Sequence, residues 1–556
     1  MENKILTGYP SIDKPWLKHY RSDINYSQPP QMSAYEYLKH MNSGNLDKTA
    51  IKFLGNTTTY SEMFNKIDEV AEALCTIGIG EGDVVVISLP ALPEEVYLFY
   101  ALDKIGACSN FVIPNTPTEK ICDIIDTFDC KCFVTWQISK EDEATLYAKS
   151  SLKNIILTPM TQQGGNDVRT TTWNNFIEKR YSMNQYVKPS NERMVFIAKT
   201  GGSTGASKSV ALSAKSFNDI VHQFLNSNLD YKAGDKWLRL WPIFSASAAV
   251  CSNHLPLCAG MELILEPTGN IFNLDKMLVT ERANHIPLAP AVLDALFDSS
   301  ILAGQDLSFI KTVGCGGSKM TEEFEKKTAE FFKRHNIKTF LGGGYGMTEN
   351  GSNVTFRMDH NTSKIGSAGI PMIDTTVAVF NPDTFEEQPY NTLGEICIKS
   401  TSFMLGYYGD EEMTKKVLRD HGNGDVWLHS GDLGYIDEDG FVYIIDRLTR
   451  VITRYPCNKL YPSEIESNIE KIYGIEKAAV FGMNDPEHDG FHIPACAIII
   501  KSGFDANSVK NTVIDYCENN IALYAKPEKV LVLDSFPLTT VGKVDYITLG
   551  EKAKEL

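Results

Sequence analysis

A chain of 556 residues with 43% hydrophobic and 22% charged side chains can bury several sizeable cores. Its formal net charge of −17 speaks against a nucleic-acid or anionic-membrane surface, because phosphate recognition needs clustered Lys and Arg. No run of ~18 apolar residues occurs and the first residues lack a secretory pattern, so no membrane span and a cytoplasmic location are expected. The twelve cysteines are scattered. Their closest pair, Cys130 and Cys132, fits no common zinc spacing, so free and mostly buried thiols are expected.

In chain order, Thr59–Glu62 has the form of a helix capping box, and Phe64, Ile67, Ala71 and Leu74 follow at helical spacing. Gly78, Gly80 and Gly82 stop that helix, a buried strand follows over 83–90, and 94–105 reads as a helix again. Strands are expected at 132–136, 154–158, 194–199, 237–241, 261–265, 310–314 and 338–341, with helices around 215–226 and 322–334. Such alternation is the signature of mostly parallel sheets covered by helices. From 376 the strands shorten and crowd (TVAVF, GEICIK, FVYIID), which predicts a small β-rich region. From about 450 a separate pattern begins, with helices near 463–472 and 506–520 and strands AAVFG, ACAIII and KVLVL. The expectation is an α/β fold: a large domain over 1–447 and a small, mobile α+β domain over 448–556.

The apolar strand at 194–199 runs into Thr200-Gly201-Gly202-Ser203-Thr204-Gly205-Ala206-Ser207-Lys208. Glycines let successive N–H groups turn inward as an anion-binding nest. Hydroxyls add donors and Lys208 a full charge, which suits a polyphosphate. The P-loop pattern of nucleotide triphosphatases fails here, because its second glycine falls on Ser207.

This loop resembles that of the acyl-adenylate-forming superfamily: acyl-CoA synthetases, peptide-synthetase adenylation domains and luciferases. Ser207 and Ser209 stand where proline and glycine are usual. Four further segments resemble the family's motifs in order: Gly314-Cys315-Gly316-Gly317-Ser318, Tyr345-Gly346-Met347-Thr348-Glu349, Trp427-Leu428-His429-Ser430-Gly431-Asp432 with Arg447 fifteen residues on, and Pro537-Leu538-Thr539-Thr540-Val541-Gly542-Lys543. The resemblance implies that Tyr345 and Gly346 lie on adenine, with Gly316, Gly317 and Ser318 on its other side. It implies Thr348 at the α-phosphate, Glu349 and Thr204 on Mg²⁺, Asp432 on the ribose, Arg447 near the nucleotide and Lys543 as the catalytic lysine. Hard oxygen donors suit Mg²⁺. The implied reaction is attack of a carboxylate on the α-phosphorus of ATP, loss of pyrophosphate, then transfer of the acyl group to a thiol.

Two departures leave the acceptor and the acid open. Residues 453–461 contain a proline and no glycine where the family's thiol-tunnel loop has glycine. Either that loop is a tolerated variant and CoA is the acceptor, or the enzyme loads phosphopantetheine on an acyl or peptidyl carrier protein. At Phe244-Ser245-Ala246-Ser247 an amino-acid adenylation domain would carry aspartate to pair the substrate ammonium. Serine there points to a fatty or aryl acid, with Phe244, Ser245, Gly314 and Gly344 in the pocket and small residues at 246–250 and 312–316 forming its bottom. Ser245 reads equally as a packing residue.

Overall fold

The structure, a computed structural model, describes residues 6–24, 28–160, 167–181, 187–200, 208–267, 273–316, 320–422, 424–456, 458–538 and 544–555. Two large sheets carry its greater part. The first has the order Gly406–Tyr407, Ser209–Ser213, Met194–Lys199, Cys108–Phe111, Val84–Ser88, Cys132–Thr135, Asn154–Leu157 and Thr170–Thr172. It is parallel from Met194–Lys199 to Thr170–Thr172, and the two strands on the other side are added antiparallel. The second has the order Leu341–Gly343, Thr312–Cys315, His285–Leu288, Lys236–Arg239, Glu262–Leu265, Thr49–Phe53 and Asn56–Thr59, parallel except for its last pair.

One core joins these sheets, running from Val85, Phe196 and Val210 of the first to Leu263 of the second through Phe64, Phe99, Phe217 and Val221 on helices. Those helices have clear local causes. Tyr60–Thr76 opens on the reciprocal Thr59–Glu62 capping box, and Ala214–Leu225 opens on Ser213, whose hydroxyl accepts from Ser216 N–H. A five-stranded antiparallel sheet follows (Thr376–Phe380, Gly394–Lys399, Val426–Ile436, Leu418–Asp420, Val442–Arg447). The C-terminal unit is a three-stranded sheet (Ile475–Asn484, His492–Ile500, Lys529–Val532) with helices Pro462–Ile469, Ala506–Asn520 and Tyr546–Glu555 and its own cores.

Most expected elements are found, with three shifts. The strand expected at 338–341 is Leu341–Gly343, and that expected at 237–241 is Lys236–Arg239. The strand expected at 310–314 is Thr312–Cys315. Trp241 and Phe340, taken for strand, line a cavity instead, whereas Ile310 packs in the core just before its strand. The eleven described cysteines are free and nine are buried, as expected. Among the described residues no helix is long and apolar enough to cross a membrane.

Residues 246–258 form an irregular helix: α over Ala246–Ala249, π over Val250–His254, α over Leu255–Cys258. Pro256 has no N–H to continue an α ladder, and Leu255 N–H reaches back to the Val250 carbonyl. The wide turn carries His254 into the core. Its Nδ1 lies 2.9 Å from the Tyr100 hydroxyl and its Nε2 3.0 Å from Asn218 Oδ1. Burial pulls its pKa down from 6.5 to about 3. The unfolded chain therefore takes up a proton below about pH 6.5 that the folded chain refuses, so this contribution is complete above that pH and is lost as pH falls toward 3. The expected result is a melting midpoint that declines between pH 6.5 and 5, at up to ~1.4 kcal/mol per pH unit from this group. A His254→Gln variant, scanned over the same range, should show a shallower decline; equal slopes would refute the assignment.

Candidate active site

The glycine-rich segment is the loop of a β-hairpin. Met194–Lys199 and Ser209–Ser213 pair antiparallel, with Lys199 opposite Ser209. Thr200 N–H donates to the Lys208 carbonyl (2.9 Å), and Lys208 N–H to the Thr200 hydroxyl (3.2 Å). Both ends of the loop are thereby held at one point. Gly201, Gly202, Ser203, Thr204, Gly205 and Ser207 lie outside the described residues.

Lys208 Nζ lies 4.7 Å over the ring of Tyr407, and the Tyr407 hydroxyl donates to Glu349 Oε1 at 2.8 Å. Tyr407 is on the strand that flanks Ser209–Ser213, opposite Val210. It joins the lysine that ends the glycine-rich segment to the carboxylate expected on the metal. Burial and then Glu349 hold its phenol above the usual range, so it stays a donor. Sequence reasoning missed Tyr407. The signal was an aromatic pair between Gly406 and Gly409.

Tyr345 to Glu349 run beside 352–357 in close backbone contact, with bridges Gly343 to Arg357 and Gly346 to Asn353. A Cβ on Gly344 would stand 2.0 Å from the Thr355 carbonyl oxygen, and one on Gly346 2.3 Å from that of Ser352. Glycine at both positions is what lets these strands approach. The segment then closes as a short 3₁₀ turn, Thr348–Asn350, which presents Thr348 and Glu349 together.

Asp432 is placed by its own motif. Glu395, on the neighbouring strand, takes His429 Nδ1 at 2.8 Å and Gly431 N–H at 3.0 Å. The Ser430 hydroxyl donates to the Ile396 carbonyl (2.6 Å) and accepts Asp432 N–H (3.0 Å). Gly431 takes φ 71°, which a larger residue resists. The buried Asp432 carboxylate then accepts the Tyr345 hydroxyl at 2.5 Å and pairs with Arg447 Nε at 2.7 Å, Arg447 being its cross-strand partner. Burial and Asp432 hold the Tyr345 phenol well above its usual range. Tyr345, Asp432 and Arg447 are thus one hydrogen-bonded group. Glu395, Cys397 and His429 come close enough to suit a metal ion, but the hydrogen bonds just given, with His421 Nε2 3.0 Å from His429 Nε2, account for their placement.

A cavity of about 550 Å³ adjoins these groups. Phe244, Ser245, Gly314, Gly316 and Gly344 all line it. Ser245 also caps the irregular helix, its hydroxyl accepting Ala248 N–H at 3.2 Å. Of the bottom expected at 246–250, Ser247 and Ala248 line the cavity, joined by Cys251, Ser252 and Leu255 further along the same helical face, while Ala246, Ala249 and Val250 pack in the core. Thr312 to Gly316 line it throughout. Phe224, Tyr231, Trp237, Trp241, Phe340 and Phe356 add aromatic faces, and no charged side chain lines it among the described residues.

Beneath this cavity Arg239 and Glu95 form an ion pair with no exposure. Glu95 Oε1 also accepts Ile243 N–H (3.0 Å), and Arg239 reaches Asn253 on the π turn (3.0 Å). The pair ties together both segments that carry the cavity wall. Gly317, Ser318 and Lys543 lie outside the described residues; Leu538 and Val544, on either side of 539–543, are bridged. The segment without glycine forms a hairpin, Ile452–Arg454 against Asn458–Leu460, with a cis Tyr455–Pro456 bond and Tyr455 stacked on His488 at 3.8 Å. Arg450 bridges Asp446 at 3.2 Å and Glu466 at 2.6 Å, with its guanidinium 4.1 Å over Tyr546.

The family model for AMP-binding enzymes matches residues 38–408, and that for the AMP-binding enzyme C-terminal domain matches 464–543. Among curated proteins the chain is similar to 4-coumarate–CoA ligase 1 of Petroselinum crispum, 27% identical over 500 residues and 88% of each chain. Among solved structures it is similar in fold to ATP-bound MatB from Rhodopseudomonas palustris (TM-score 0.81, 20% identity, 94% of this chain and 99% of that one). It is similar in the same way to the anthranilate CoA ligase AuaEII in complex with anthranoyl-AMP (TM-score 0.81, 18% identity, 96% and 100%). With both family models matched in order along its length, the chain belongs to the AMP-binding enzymes.

Proposed function

We propose that the protein joins an uncharged-bodied aromatic acid to AMP, releasing pyrophosphate, and then passes the acyl group to the thiol of CoA. One observation carries this reading: among the described residues no charged side chain lines an aromatic-walled cavity that reaches Gly344, next to Tyr345 of the Tyr345–Asp432–Arg447 group. Ring-shaped apolar bodies are bound well by such walls, and a second charge on the acid would lack a partner there. The similar 4-coumarate–CoA and anthranilate CoA ligases bear names of aryl acids, which supports the same class.

In this reading the hairpin loop Thr200–Lys208 holds the β- and γ-phosphates, with Lys208 the described cation at its base. Asp432 takes the ribose hydroxyls, Tyr345 and Gly346 face adenine opposite Gly316, Gly317 and Ser318, and Arg447 stays beside Asp432. Thr348 donates to the α-phosphate. Glu349, with Thr204, holds Mg²⁺, whose donor preference a carboxylate and a hydroxyl meet. Held there, Mg²⁺ would offset the negative charge of the departing pyrophosphate. Lys543 draws the substrate carboxylate toward phosphorus, so the domain over 448–556 closes on that over 1–447 and swings for the thiol step. Positioning and charge compensation supply most of the rate. The enzyme acts in the cytoplasm, where its thiols stay reduced.

The test is acid-dependent ATP–pyrophosphate exchange across a panel of carboxylic acids, followed by product analysis with CoA or a carrier protein. Exchange with aryl acids and consumption of CoA are expected. No exchange with any acid overturns adenylation, and acyl-AMP that only a carrier protein discharges overturns CoA as acceptor.

A further inference from the structure

The first sheet holds a crevice away from the acyl cavity. After Val84–Ser88 the chain adds Cys108–Phe111 on one side of that strand and then Cys132–Thr135 on the other. The direction of winding reverses between Val84–Ser88 and Cys132–Thr135. The segments that leave Ser88 and Thr135 therefore part, and a gap opens beyond the carboxyl ends of their strands. Open parallel sheets bind their ligands at such points. A cavity of about 900 Å³ lies there and shares no lining residue with the acyl cavity.

Its floor is polar and has hydrogen-bonding capacity to spare. Ser88 and Thr135 stand directly opposite each other in the strand register, 5% and 4% exposed. Ser88 lines the cavity, and its hydroxyl has no hydrogen-bond partner among the described residues. A buried hydroxyl left unpaired costs free energy, which a ligand that pairs with it recovers. Thr135 gives its proton to the Gln137 carbonyl (3.2 Å), so its oxygen can still accept. At the rim the Gln137 amide donates to Asn115 Oδ1 (3.4 Å). That leaves Gln137 Oε1 an acceptor and the Asn115 NH₂ group a donor, neither with a partner among the described residues.

The charges exclude an ion of either sign. No lysine or arginine lines the cavity among the described residues, whereas Asp142 does. Its two oxygens accept the Ser139 hydroxyl (2.6 Å) and the Thr118 hydroxyl, which hold its carboxyl below the usual range. It is therefore ionised at neutral pH and repels an anion. Both oxygens being taken, it is not aimed at a ligand cation. The helix Thr118–Thr127 also starts here without a side-chain cap, and the partial positive charge of its first N–H groups opposes a cation. Ile121, Phe133, Ile138, Leu146 and the half-buried Trp136 make the apolar part of the wall. A ring with hydroxyls at its edge and C–H groups on its faces matches both parts. We infer that this crevice is a second binding site, for a neutral polyhydroxylated ring (an uncharged sugar or cyclitol), whose hydroxyls pair with Ser88, Thr135, Asn115 and Gln137. It stands independently of the function proposed above.

The test is calorimetric titration of the full chain, without ATP or acid, with neutral mono- and disaccharides and with myo-inositol, each beside its phosphate ester. At least one neutral ring should bind, and its phosphate ester about tenfold more weakly or not at all. Ser88→Ala should lower that affinity by about tenfold, the usual effect of losing a hydrogen bond to a buried group, and Gln137→Leu by a similar factor. Ser88→Ala should leave the melting midpoint where it is, because the hydroxyl has no partner in the protein to lose. A purely structural serine would lower the midpoint instead. Absence of binding by every neutral ring, equal or tighter binding of the phosphate esters, or an affinity that survives Ser88→Ala overturns the inference. Displacement of the bound ring by CoA overturns it as well, and gives the crevice to the thiol substrate.

Discussion

Glu349→Gln should cut acid-dependent pyrophosphate exchange by roughly 10²-fold or more, with the fold intact by circular dichroism. The side chain keeps its size and can still meet the Tyr407 hydroxyl, now 2.8 Å from Oε1. What it loses is the negative charge that a divalent cation beside the β- and γ-phosphates needs. Tyr407→Phe removes only the orienting hydroxyl and should cost about 10-fold to 100-fold, the usual range for a partner of a metal ligand. The two variants separate by their metal dependence. Raising Mg²⁺ should recover much of the Tyr407→Phe loss and little of the Glu349→Gln loss. A Glu349→Gln enzyme with wild-type exchange would falsify the metal assignment, and a Tyr407→Phe enzyme indifferent to Mg²⁺ would separate Tyr407 from it.

Glu95→Ala should destabilise the protein by roughly 3–5 kcal/mol, because it strands a fully buried guanidinium. The affected groups are all given by the geometry. Arg239 loses its counter-charge and Ile243 N–H its acceptor. Burial pushes the Glu95 carboxyl up and the Arg239 guanidinium down, and each group partly offsets the shift of the other. Replacing both, as Glu95→Leu with Arg239→Met, removes the buried charge altogether and should restore part of the loss. Melting midpoints test this, and a double variant less stable than Glu95→Ala would refute it. Exchange activity should fall with stability, since Ile243 precedes Phe244 and Ser245 and Asn253 sits on the π turn.

Much of the fold was legible because its signals are local. The capping box at Thr59–Glu62, the apolar run at 194–199 and the periodic run at 322–334 each declare an element within a few residues. Asp432, Tyr345 and Arg447 were legible as a set through motif resemblance, and they form one hydrogen-bonded group. What was not legible depends on distant partners. Nothing near Glu95 announces Arg239, which lies 144 residues on. Thr49–Phe53 and His285–Leu288 are strands by virtue of their parallel neighbours, not of a strong alternation of their own. The π turn at Val250–His254, with Pro256 just after it, has no counterpart in the regular helical spacing of the sequence.

The Arg450 clasp has a mechanical meaning under the proposed swing. Asp446 closes the strand Val442–Arg447, whereas Glu466 and Ser463 open the first helix of the C-terminal unit, and all three carboxylate and hydroxyl groups meet one guanidinium. Asp446 is 1% exposed and Glu466 12%, so water does little to screen the contact. A rotation about residues 448–449 carries Arg450 with it and must give up one of its two acids. The clasp then works as a detent: it gives the joint a definite resting angle, and the work of leaving that angle is drawn from whatever the incoming thiol substrate gains on binding.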